Sequence, residues 1–280
     1  MGFLEKLLEA ARTNGSLLCV GLDPDPELMP AGMGVLEFNR AIVDATSDLV
    51  CAYKPNLAFY EALGTEGLRA LEKTVTYIPD TIPVIGDAKR GDIGSTARAY
   101  ARALFETLGF DAATVNPYMG YDSLEPFIEY REKGVFILCR TSNAGSVDFQ
   151  DLVLSGKSAG VEGGERPLFE VVALRAREWN ALGNVGLVVG STYPQELRRV
   201  RQLCPQMPLL IPGIGAQGGD PASAVRYGVD ARGEKAIISS SRQIIYAYLG
   251  EGGKGGDFAA AARGAALKLR DEINRYRGHT

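Results

Sequence analysis

Histidine is almost absent from this sequence, and its scarcity narrows the possible chemistry. The one histidine, His279, is the penultimate of 280 residues, and chain ends are commonly frayed. Mechanisms built on histidine are therefore not expected, including Ser-His-Asp nucleophiles, zinc sites with histidine ligands and imidazole proton shuttles. Acid and base chemistry must use carboxylates, lysines, tyrosines or water.

Cysteine is also scarce, and long apolar runs are missing. The cysteines are Cys19, Cys51, Cys139 and Cys204. They lie far apart and form no Cys-x-x-Cys pair, which favours buried thiols over disulfides or a zinc site. No run approaches the roughly 18 apolar residues of a membrane span, and the N-terminus lacks the apolar core of a signal peptide. The sequence therefore predicts a cytoplasmic protein.

Neither sign of charge is in large excess. The chain has 30 basic and 34 acidic residues, a net charge of −4, spread along its whole length. It therefore has no electrostatic footprint for nucleic acid or anionic lipid, and any anionic ligand must be held by a local site. With 46% apolar and 23% charged residues, the composition is that of a globular protein with a sizeable core.

Short apolar runs alternate with stretches of helical periodicity, which is typical of strand-helix-strand units and a parallel sheet. Eight candidate strands are present: Leu17–Asp23, Cys51–Asn56, Pro83–Lys89, Ala112–Pro117, Gly134–Arg140, Val185–Ser191, Pro208–Ile214 and Lys235–Arg242. Eight such repeats predict an α/β fold, a closed parallel (β/α)8 TIM barrel, as a single domain over residues 1–280. A doubly wound open sheet is disfavoured because no Gly-x-Gly-x-x-Gly follows the first strand.

The stretches between the strands include two well-marked helices and one long loop. Gly94–Leu108 is predicted to be helical, with an apolar face of Ala97, Tyr100, Ala101, Leu104 and Phe105, and Pro167–Leu182 opens with proline at a first-turn position. Thr141–Glu165 is rich in Gly, Ser and Asn and reads as a loop. Loops of that length are usually functional or disordered, so both a lid and a passive insertion remain open.

Charged and polar residues stand at the predicted strand ends, which a barrel would gather around one mouth. They are Asp23, Lys54, Asp87, Lys89, Asn116, Arg140 and Arg242. Asp87 and Lys89 are two apart on one strand, so both are predicted to point into the barrel. Asp92 follows a turn at Arg90-Gly91 and is free to point elsewhere, including towards a partner chain.

The charged cluster has a structural and a chemical interpretation. The structural one is a buried ion-pair network that closes the end of the barrel. The chemical one rests on Lys54 beside Lys89: lysines flanked by carboxylates stay protonated, which suits proton donation or stabilisation of negative charge better than Schiff-base formation.

Two segments late in the chain predict a phosphate site. The seventh strand leads into the glycine-rich run Pro212–Asp220, and the eighth ends in Ser239-Ser240-Ser241-Arg242. Barrels often hold phosphate on the loops after these two strands, and Arg242 would supply bidentate donors. The alternative is a flexible glycine loop with a surface arginine.

The segment Asp87-Ala88-Lys89-Arg90-Gly91-Asp92-Ile93 resembles the Asp-x-Lys-x-x-Asp-Ile/Val signature of the orotidine 5′-phosphate decarboxylase family, in its longer bacterial and archaeal branch. The resemblance runs from about residue 17 to 250. It includes Gly21-Leu22-Asp23-Pro24, Tyr53-Lys54-Pro55-Asn56, Val115-Asn116-Pro117-Tyr118, Arg140-Thr141-Ser142-Asn143, Pro212–Gly218 and Ser240-Ser241-Arg242.

The resemblance implies a role for each matching residue. Lys89 is implied to protonate C6 of the pyrimidine as carbon dioxide leaves, and Asp87 to face the substrate carboxylate. The residues implied to bind substrate are Asp23 and Lys54 at the ribose, Ser142 at the pyrimidine, and Gln217 and Arg242 at the phosphate. The residues implied to reach the neighbouring subunit's site, and so to require a homodimer with shared sites, are Asp92, Ile93 and Thr96.

The implied reaction is decarboxylation of orotidine 5′-phosphate to uridine 5′-phosphate in de novo pyrimidine biosynthesis, without metal or organic cofactor. Lys89 would stabilise the developing C6 carbanion electrostatically. Alternatives are a related magnesium-dependent sugar-phosphate decarboxylase, a Schiff-base aldolase, or a non-catalytic barrel that binds phosphorylated ligands. The complete set of Lys54, Asp87, Lys89 and Asp92 argues against the non-catalytic alternative.

Overall fold

Eight parallel strands form the centre of the computed structural model, which describes residues 1–156, 164–215, 218–250 and 257–277. Ten strands are described in all, and β6 and β7 form a separate two-stranded sheet. In chain order they are β1 Leu18–Leu22, β2 Ala52–Pro55, β3 Ile85–Arg90, β4 Ala112–Val115, β5 Gly134–Arg140, β6 Val153–Ser155, β7 Glu165–Pro167, β8 Val185–Val189, β9 Leu209–Ile211 and β10 Ala236–Ser240. The large sheet has the order β2-β1-β10-β9-β8-β5-β4-β3. Parallel bridges from Tyr53 to Val84 and from Asn56 to Asp87 join its two ends. The predicted (β/α)8 barrel is confirmed.

Helices pack around the barrel. They are α1 Phe3–Thr13, α2 Val35–Thr46, α3 Leu57–Glu61, α4 Gly64–Tyr77, α5 Gly94–Arg102, α6 Tyr121–Ile128, α7 Val147–Gln150, α8 Leu168–Trp179, α9 Pro194–Leu203, α10 Pro221–Gly228, α11 Arg242–Ile245 and α12 Phe258–Arg277. Within the described ranges, no helix combines the length and the apolar character needed to cross a membrane.

The barrel strands are buried on both faces, which explains their nearly continuous apolar sequences. Every residue of β1, β8 and β10 is buried. The four cysteines are free and buried in this layer or beside it, as predicted. Burial raises the pKa of the Cys19 thiol to about 12 and that of Cys204 to about 11, so both remain protonated at neutral pH.

The predicted helix Gly94–Leu108 is helical but not uniform. It is an α-helix to Arg102 and then a π-helical turn over Ala103–Thr107. The assignment of Tyr100 to its apolar face is wrong: the residue is 37% exposed, and the guanidinium of Arg90 lies 5.2 Å from its ring centroid. The second predicted helix, Pro167–Leu182, is observed as the shorter α8, and Pro167 precedes it as the N-cap residue rather than lying in its first turn.

The segment predicted as a loop over Thr141–Glu165 is partly regular, which corrects the sequence-based assignment. It holds a 3-10 turn at Ala144–Ser146, the short helix α7, and the antiparallel hairpin of β6 and β7. A hydrogen bond of 2.9 Å from Leu168 N to Leu152 O ties the hairpin to the start of α8. The two roles considered for this segment, lid and insertion, stay predictions.

Candidate active site

The carboxylate of Asp87 lies between two ammonium groups at the C-terminal end of the barrel. Lys54 Nζ is 2.9 Å from Asp87 Oδ2, and Lys89 Nζ is 2.6 Å from Asp87 Oδ1. The side chains of Lys54 and Asp87 are only 7% and 12% exposed, whereas that of Lys89 is 48% exposed. The structure thus brings together three of the predicted site residues, with Lys89 the most accessible of them.

The charges of this centre stabilise one another. Burial alone would lower the pKa of Lys54, but attraction to Asp87 and Asp23 outweighs it, and the pKa is raised. Burial alone would raise the pKa of Asp87, but Lys54 and Lys89 hold it well below its ordinary value. At neutral pH, Lys54 is therefore a cation and Asp87 an anion, as expected for an ammonium flanked by carboxylates.

Strand β3 is irregular where it carries the second lysine. Lys89 has a left-handed backbone, with φ of +49°, and the pairing of β3 with β4 shifts register between Gly86 and Arg90. The prediction that Asp87 and Lys89 share a face of a regular strand is therefore wrong in its geometry. Their side chains meet through a bend in the strand instead.

Thr114 on β4 connects the two sides of this bend, and sequence reasoning missed it. Its hydroxyl accepts a hydrogen bond from Lys89 N (3.0 Å) and donates one to Asp87 Oδ1 (2.9 Å). The available signal was weak: a single hydroxyl in the apolar run Ala112–Val115.

Asp23 follows β1 and faces the same mouth. Its Oδ1 accepts a hydrogen bond of 3.2 Å from the backbone N–H of Asn56, which follows β2 and bridges to Asp87. The backbone carbonyl of Asp23 accepts a hydrogen bond of 3.1 Å from Tyr246 Oη. Asp23 is therefore held by neighbours from two other parts of the chain, close enough to Lys54 for its charge to raise the lysine's pKa.

Asp92, Ile93 and Thr96 lie beyond the end of β3, in the segment that leads into α5 and in its first turn. Asp92 Oδ1 accepts a hydrogen bond of 2.8 Å from Ile93 N, Ile93 is 54% exposed, and Thr96 is exposed. In the part of the chain that the structure describes, Asp92 forms no hydrogen bond or ion pair with Lys54, Asp87 or Lys89. The structure therefore separates the fourth member of the predicted cluster from the other three.

Arg140 does not join the polar ring in which the sequence placed it. Its side chain is fully buried, 3.1 Å from Asp151 Oδ2 and 3.4 Å from Gln150 Oε1, and its guanidinium lies 3.6 Å from the ring centroid of Tyr193. It also donates to Ser146 Oγ. Arg140 therefore anchors the chain that follows β5 rather than lining the mouth.

Ser142 is positioned through its backbone. Its carbonyl accepts a hydrogen bond of 3.1 Å from Thr192 Oγ1, and Gly190 packs so closely that a Cβ at that position would lie 2.7 Å from Ser142 Cα. Among the described residues, none forms a hydrogen bond with Ser142 Oγ. That hydroxyl is consequently available to a ligand.

Three glycines of the loop after β9 have a left-handed backbone. Gly213, Gly215 and Gly218 all have φ between +82° and +103°, a region that favours glycine. Arg242 is exposed and begins α11 directly after β10. The predicted phosphate residue Gln217 lies outside the described residues, as does His279.

Comparisons with known proteins agree with this arrangement. A family model described as "Orotidine 5'-phosphate decarboxylase / HUMPS family" matches residues 16–251. An orotidine 5′-phosphate decarboxylase of Dehalococcoides mccartyi is 55% identical over 99% of both chains. The structure of Leishmania donovani OMP decarboxylase superposes with a TM-score of 0.84 at 42% identity, over 99% of this chain and 100% of that one.

A longer protein contains the same fold. Leishmania donovani UMP synthase superposes with a TM-score of 0.85 at 44% identity, and this chain spans 57% of its length. The family model covers most of the chain, and the Dehalococcoides relative matches it nearly end to end. The family predicted from the sequence motifs is therefore confirmed: this chain belongs to the orotidine 5′-phosphate decarboxylase family.

Proposed function

We propose that the protein decarboxylates orotidine 5′-phosphate to uridine 5′-phosphate, as a carboxy-lyase of pyrimidine biosynthesis. The observation that carries this function is the Lys54–Asp87–Lys89 centre at the C-terminal end of the barrel, where TIM-barrel active sites lie. Membership of the family and the named relatives confirm the activity predicted from the sequence. The roles of individual residues that follow are our assignments.

Lys89 supplies the proton and the opposing charge. As the bond between C6 and the carboxylate breaks, carbon dioxide leaves and the electron pair stays on C6. The Lys89 ammonium stabilises this carbanion and then transfers a proton to it, after which the amine recovers a proton from water. Its 48% exposure supports this role, because the group opens to the mouth rather than being enclosed by protein.

Asp87 has two tasks in this mechanism. It holds both ammonium groups in place, and its negative charge opposes the carboxylate that the substrate loses. Both of its oxygens already accept hydrogen bonds from ammonium groups. Two adjacent cations disfavour a divalent metal ion at this carboxylate, which argues for the predicted reaction without magnesium over the magnesium-dependent alternative.

The remaining assigned residues bind the substrate away from the reacting carbon. Asp23 and Lys54 bind the ribose hydroxyls, and Ser142 Oγ bonds the pyrimidine. The glycine turn after β9, with Arg242 and Gln217, binds the phosphate. Binding energy from the phosphate holds the reacting ring against Asp87 and Lys89.

A homodimer with shared sites completes the proposal. The segments after β3 and β4 present large apolar side chains to solvent: Ile93 54%, Tyr100 37%, Tyr118 85%, Met119 45% and Tyr121 40% exposed. A patch of this kind is typical of a protein interface, and a two-fold axis would pair it with itself. Asp92, Ile93 and Thr96 would then enter the partner's site, which explains why Asp92 stands apart from Lys89 within one chain. The single-domain organisation and the cytoplasmic location stay predictions.

A direct assay tests the function. Purified protein is incubated with orotidine 5′-phosphate, with and without EDTA, and loss of orotate absorbance and formation of uridine 5′-phosphate are followed. We expect equal turnover under both conditions. Turnover that chelator removes and magnesium restores would contradict the metal-free mechanism, and no turnover under either condition would contradict the function.

A further inference from the structure

The backbone of Lys89 adopts a conformation that lysine rarely takes. Among the non-glycine residues that the structure describes, only Lys89 and Lys235 have positive φ, +49° and +60°. A side chain with a Cβ is strained there. Such a conformation persists only where neighbouring groups stabilise it, so the contacts around Lys89 identify what holds it.

One hydroxyl provides these contacts. Thr114 is 1% exposed, and its Oγ1 accepts from Lys89 N and donates to Asp87 Oδ1 at 3.0 and 2.9 Å. A hydroxyl has one proton to donate. An ionised Asp87 is acceptor-only and takes that proton, which directs a lone pair of Oγ1 towards the N–H of Lys89.

The same carboxylate oxygen also receives the lysine side chain. Asp87 Oδ1 lies 2.6 Å from Lys89 Nζ. Thr114 therefore connects the backbone of Lys89 with the group that holds its ammonium. Both ends of the proton donor are positioned through a single side chain on the neighbouring strand.

We propose that Thr114 is a positioning residue for decarboxylation: it holds the left-handed bend at Lys89 and orients Asp87, so that the Lys89 ammonium stands at the mouth of the barrel. This inference rests on the assignment of Lys89 as proton donor. Without the hydroxyl, Lys89 N loses its hydrogen-bond acceptor and Asp87 loses one of its donors. The Lys89 ammonium is then expected to move. A displacement of about 1 Å at a reacting group lowers the rate about 100-fold.

The test compares Thr114→Val, Thr114→Ala and Thr114→Ser. Valine has the same shape as threonine, and alanine is smaller, but both lack the hydroxyl. Serine retains the hydroxyl. We expect kcat to fall about 10- to 100-fold in the valine and alanine variants and to stay within about threefold of the original in the serine variant. KM should change little in all three, because the phosphate is bound by segments after other strands.

Thr46→Val is the matched control. The Thr46 hydroxyl is also buried and also forms two hydrogen bonds, with Ile42 O at 2.7 Å and with Tyr53 Oη at 2.7 Å. Unlike Thr114, it lies in α2, away from the site. This variant should lose thermal stability while kcat is unchanged. A loss of kcat here equal to that of Thr114→Val would overturn the proposal, since the effect would then follow stability alone.

The other possible results of these assays also test the proposed role of Thr114. The proposal fails if the valine and alanine variants keep kcat within twofold, or if the serine variant is as slow as they are. Should the valine variant not fold, the alanine and serine variants still make the comparison. Lys89→Ala separates this inference from the assignment beneath it: if that variant keeps turnover, the role of Lys89 is wrong, whereas if it is inactive and Thr114→Val is not, only the role of Thr114 is wrong.

Discussion

At the scale of single residues, Asp87 is the group on which the site most depends. It is largely buried, carries a negative charge, and accepts hydrogen bonds from Lys54, Lys89 and Thr114. A buried charge is tolerated only when it is paired and hydrogen-bonded. The same contacts that make the centre stable therefore also fix the direction of its catalytic groups.

Removal of the charge at Asp87 should destabilise the protein in a pH-dependent way. The depressed pKa of Asp87 contributes stability above the ordinary aspartate pKa of about 3.9. This stability is lost as the pH falls towards the pKa of Asp87 in the folded state. The raised pKa of Lys54 contributes stability below the ordinary lysine pKa of about 10.4, and this stability is lost as the pH rises through the pKa of the folded state. Both contributions are complete at neutral pH, where Asp87→Asn should lower the free energy of unfolding by about 3–5 kcal/mol. Urea unfolding between pH 7 and pH 3 measures this.

The difference between Asp87→Asn and the original protein should narrow below about pH 4, because Asp87 then takes up a proton in the unfolded chain while it stays ionised in the folded protein. A difference that stays constant with pH would show that the lost charge is not the cause. The double variant Asp87→Asn with Lys54→Met should recover part of the stability, since it leaves no unpaired buried charge.

Lys89→Ala should abolish turnover while ligand binding survives. Loss of a general acid lowers the rate by about 100- to 10,000-fold, whereas the segments proposed to bind the phosphate follow other strands, β9 and β10. Stopped-flow assays give the rate, and calorimetric titration with uridine 5′-phosphate gives the affinity. Lys73→Ala, at an exposed position of α4, is the control. Near-original turnover by Lys89→Ala would rule out its assignment as proton donor.

At the scale of elements, the segment after β5 is built as a support for Ser142. Arg140 donates hydrogen bonds to Ser146, Gln150 and Asp151. Gly190, directly after β8, packs against the Ser142 backbone with no space for a Cβ between them. Short polar segments without an apolar period carry little local signal. Their order here comes from a buried guanidinium and from close backbone packing, neither of which shows in the pattern of the sequence.

Gly190→Ala should weaken substrate binding selectively. The added methyl group would meet Ser142 backbone atoms at 2.7–2.8 Å, so the segment must shift, which would weaken the proposed hydrogen bond from Ser142 to the pyrimidine. We expect KM to rise about tenfold, equivalent to one hydrogen bond, in steady-state assays.

The matched glycine is Gly264 in α12, where a Cβ would meet nothing within 4 Å. Gly264→Ala should leave KM unchanged and stabilise the protein by about 0.5–1 kcal/mol. An unchanged KM in Gly190→Ala would show that the segment adapts to the methyl group and that Ser142 needs no precise support.

At the scale of the whole molecule, the exposed apolar surface after β3 and β4 is the basis of the proposed homodimer. It is continuous along the chain with Asp92, Ile93 and Thr96, so an interface there would bring these residues to a second copy. One protomer then provides Lys54, Asp87 and Lys89, and its partner provides the outer wall.

Mixing two inactive variants tests the shared site. In a hybrid of Lys89→Ala with Asp92→Asn, one of the two sites carries both changes and the other carries neither. Random exchange makes half of all dimers hybrids, so about a quarter of the original activity should return. Activity that stays absent after complete exchange, shown by mass spectrometry, would place both residues in one chain's site. Ile93→Glu should separately lower the sedimentation mass from twice 30.0 kDa to that of one chain.

The sequence by itself determined the barrel, the family, and the nearness of Lys54, Asp87 and Lys89. Apolar periodicity and the position of a polar residue at a strand end are local properties, and a parallel barrel gathers all such ends at one mouth. For the same reason the eight strands were predicted within a few residues of their observed bounds.

Only the tertiary structure decided the direction of individual side chains. Lys89 and Thr114 lie 25 residues apart, and the bend at Lys89 exists because a hydroxyl on the neighbouring strand accepts its N–H. Arg140 turned away from the mouth because Asp151 and Tyr193 surround its guanidinium. Bulges and buried polar contacts depend on partners distant in the chain, so the local sequence pattern does not predict them.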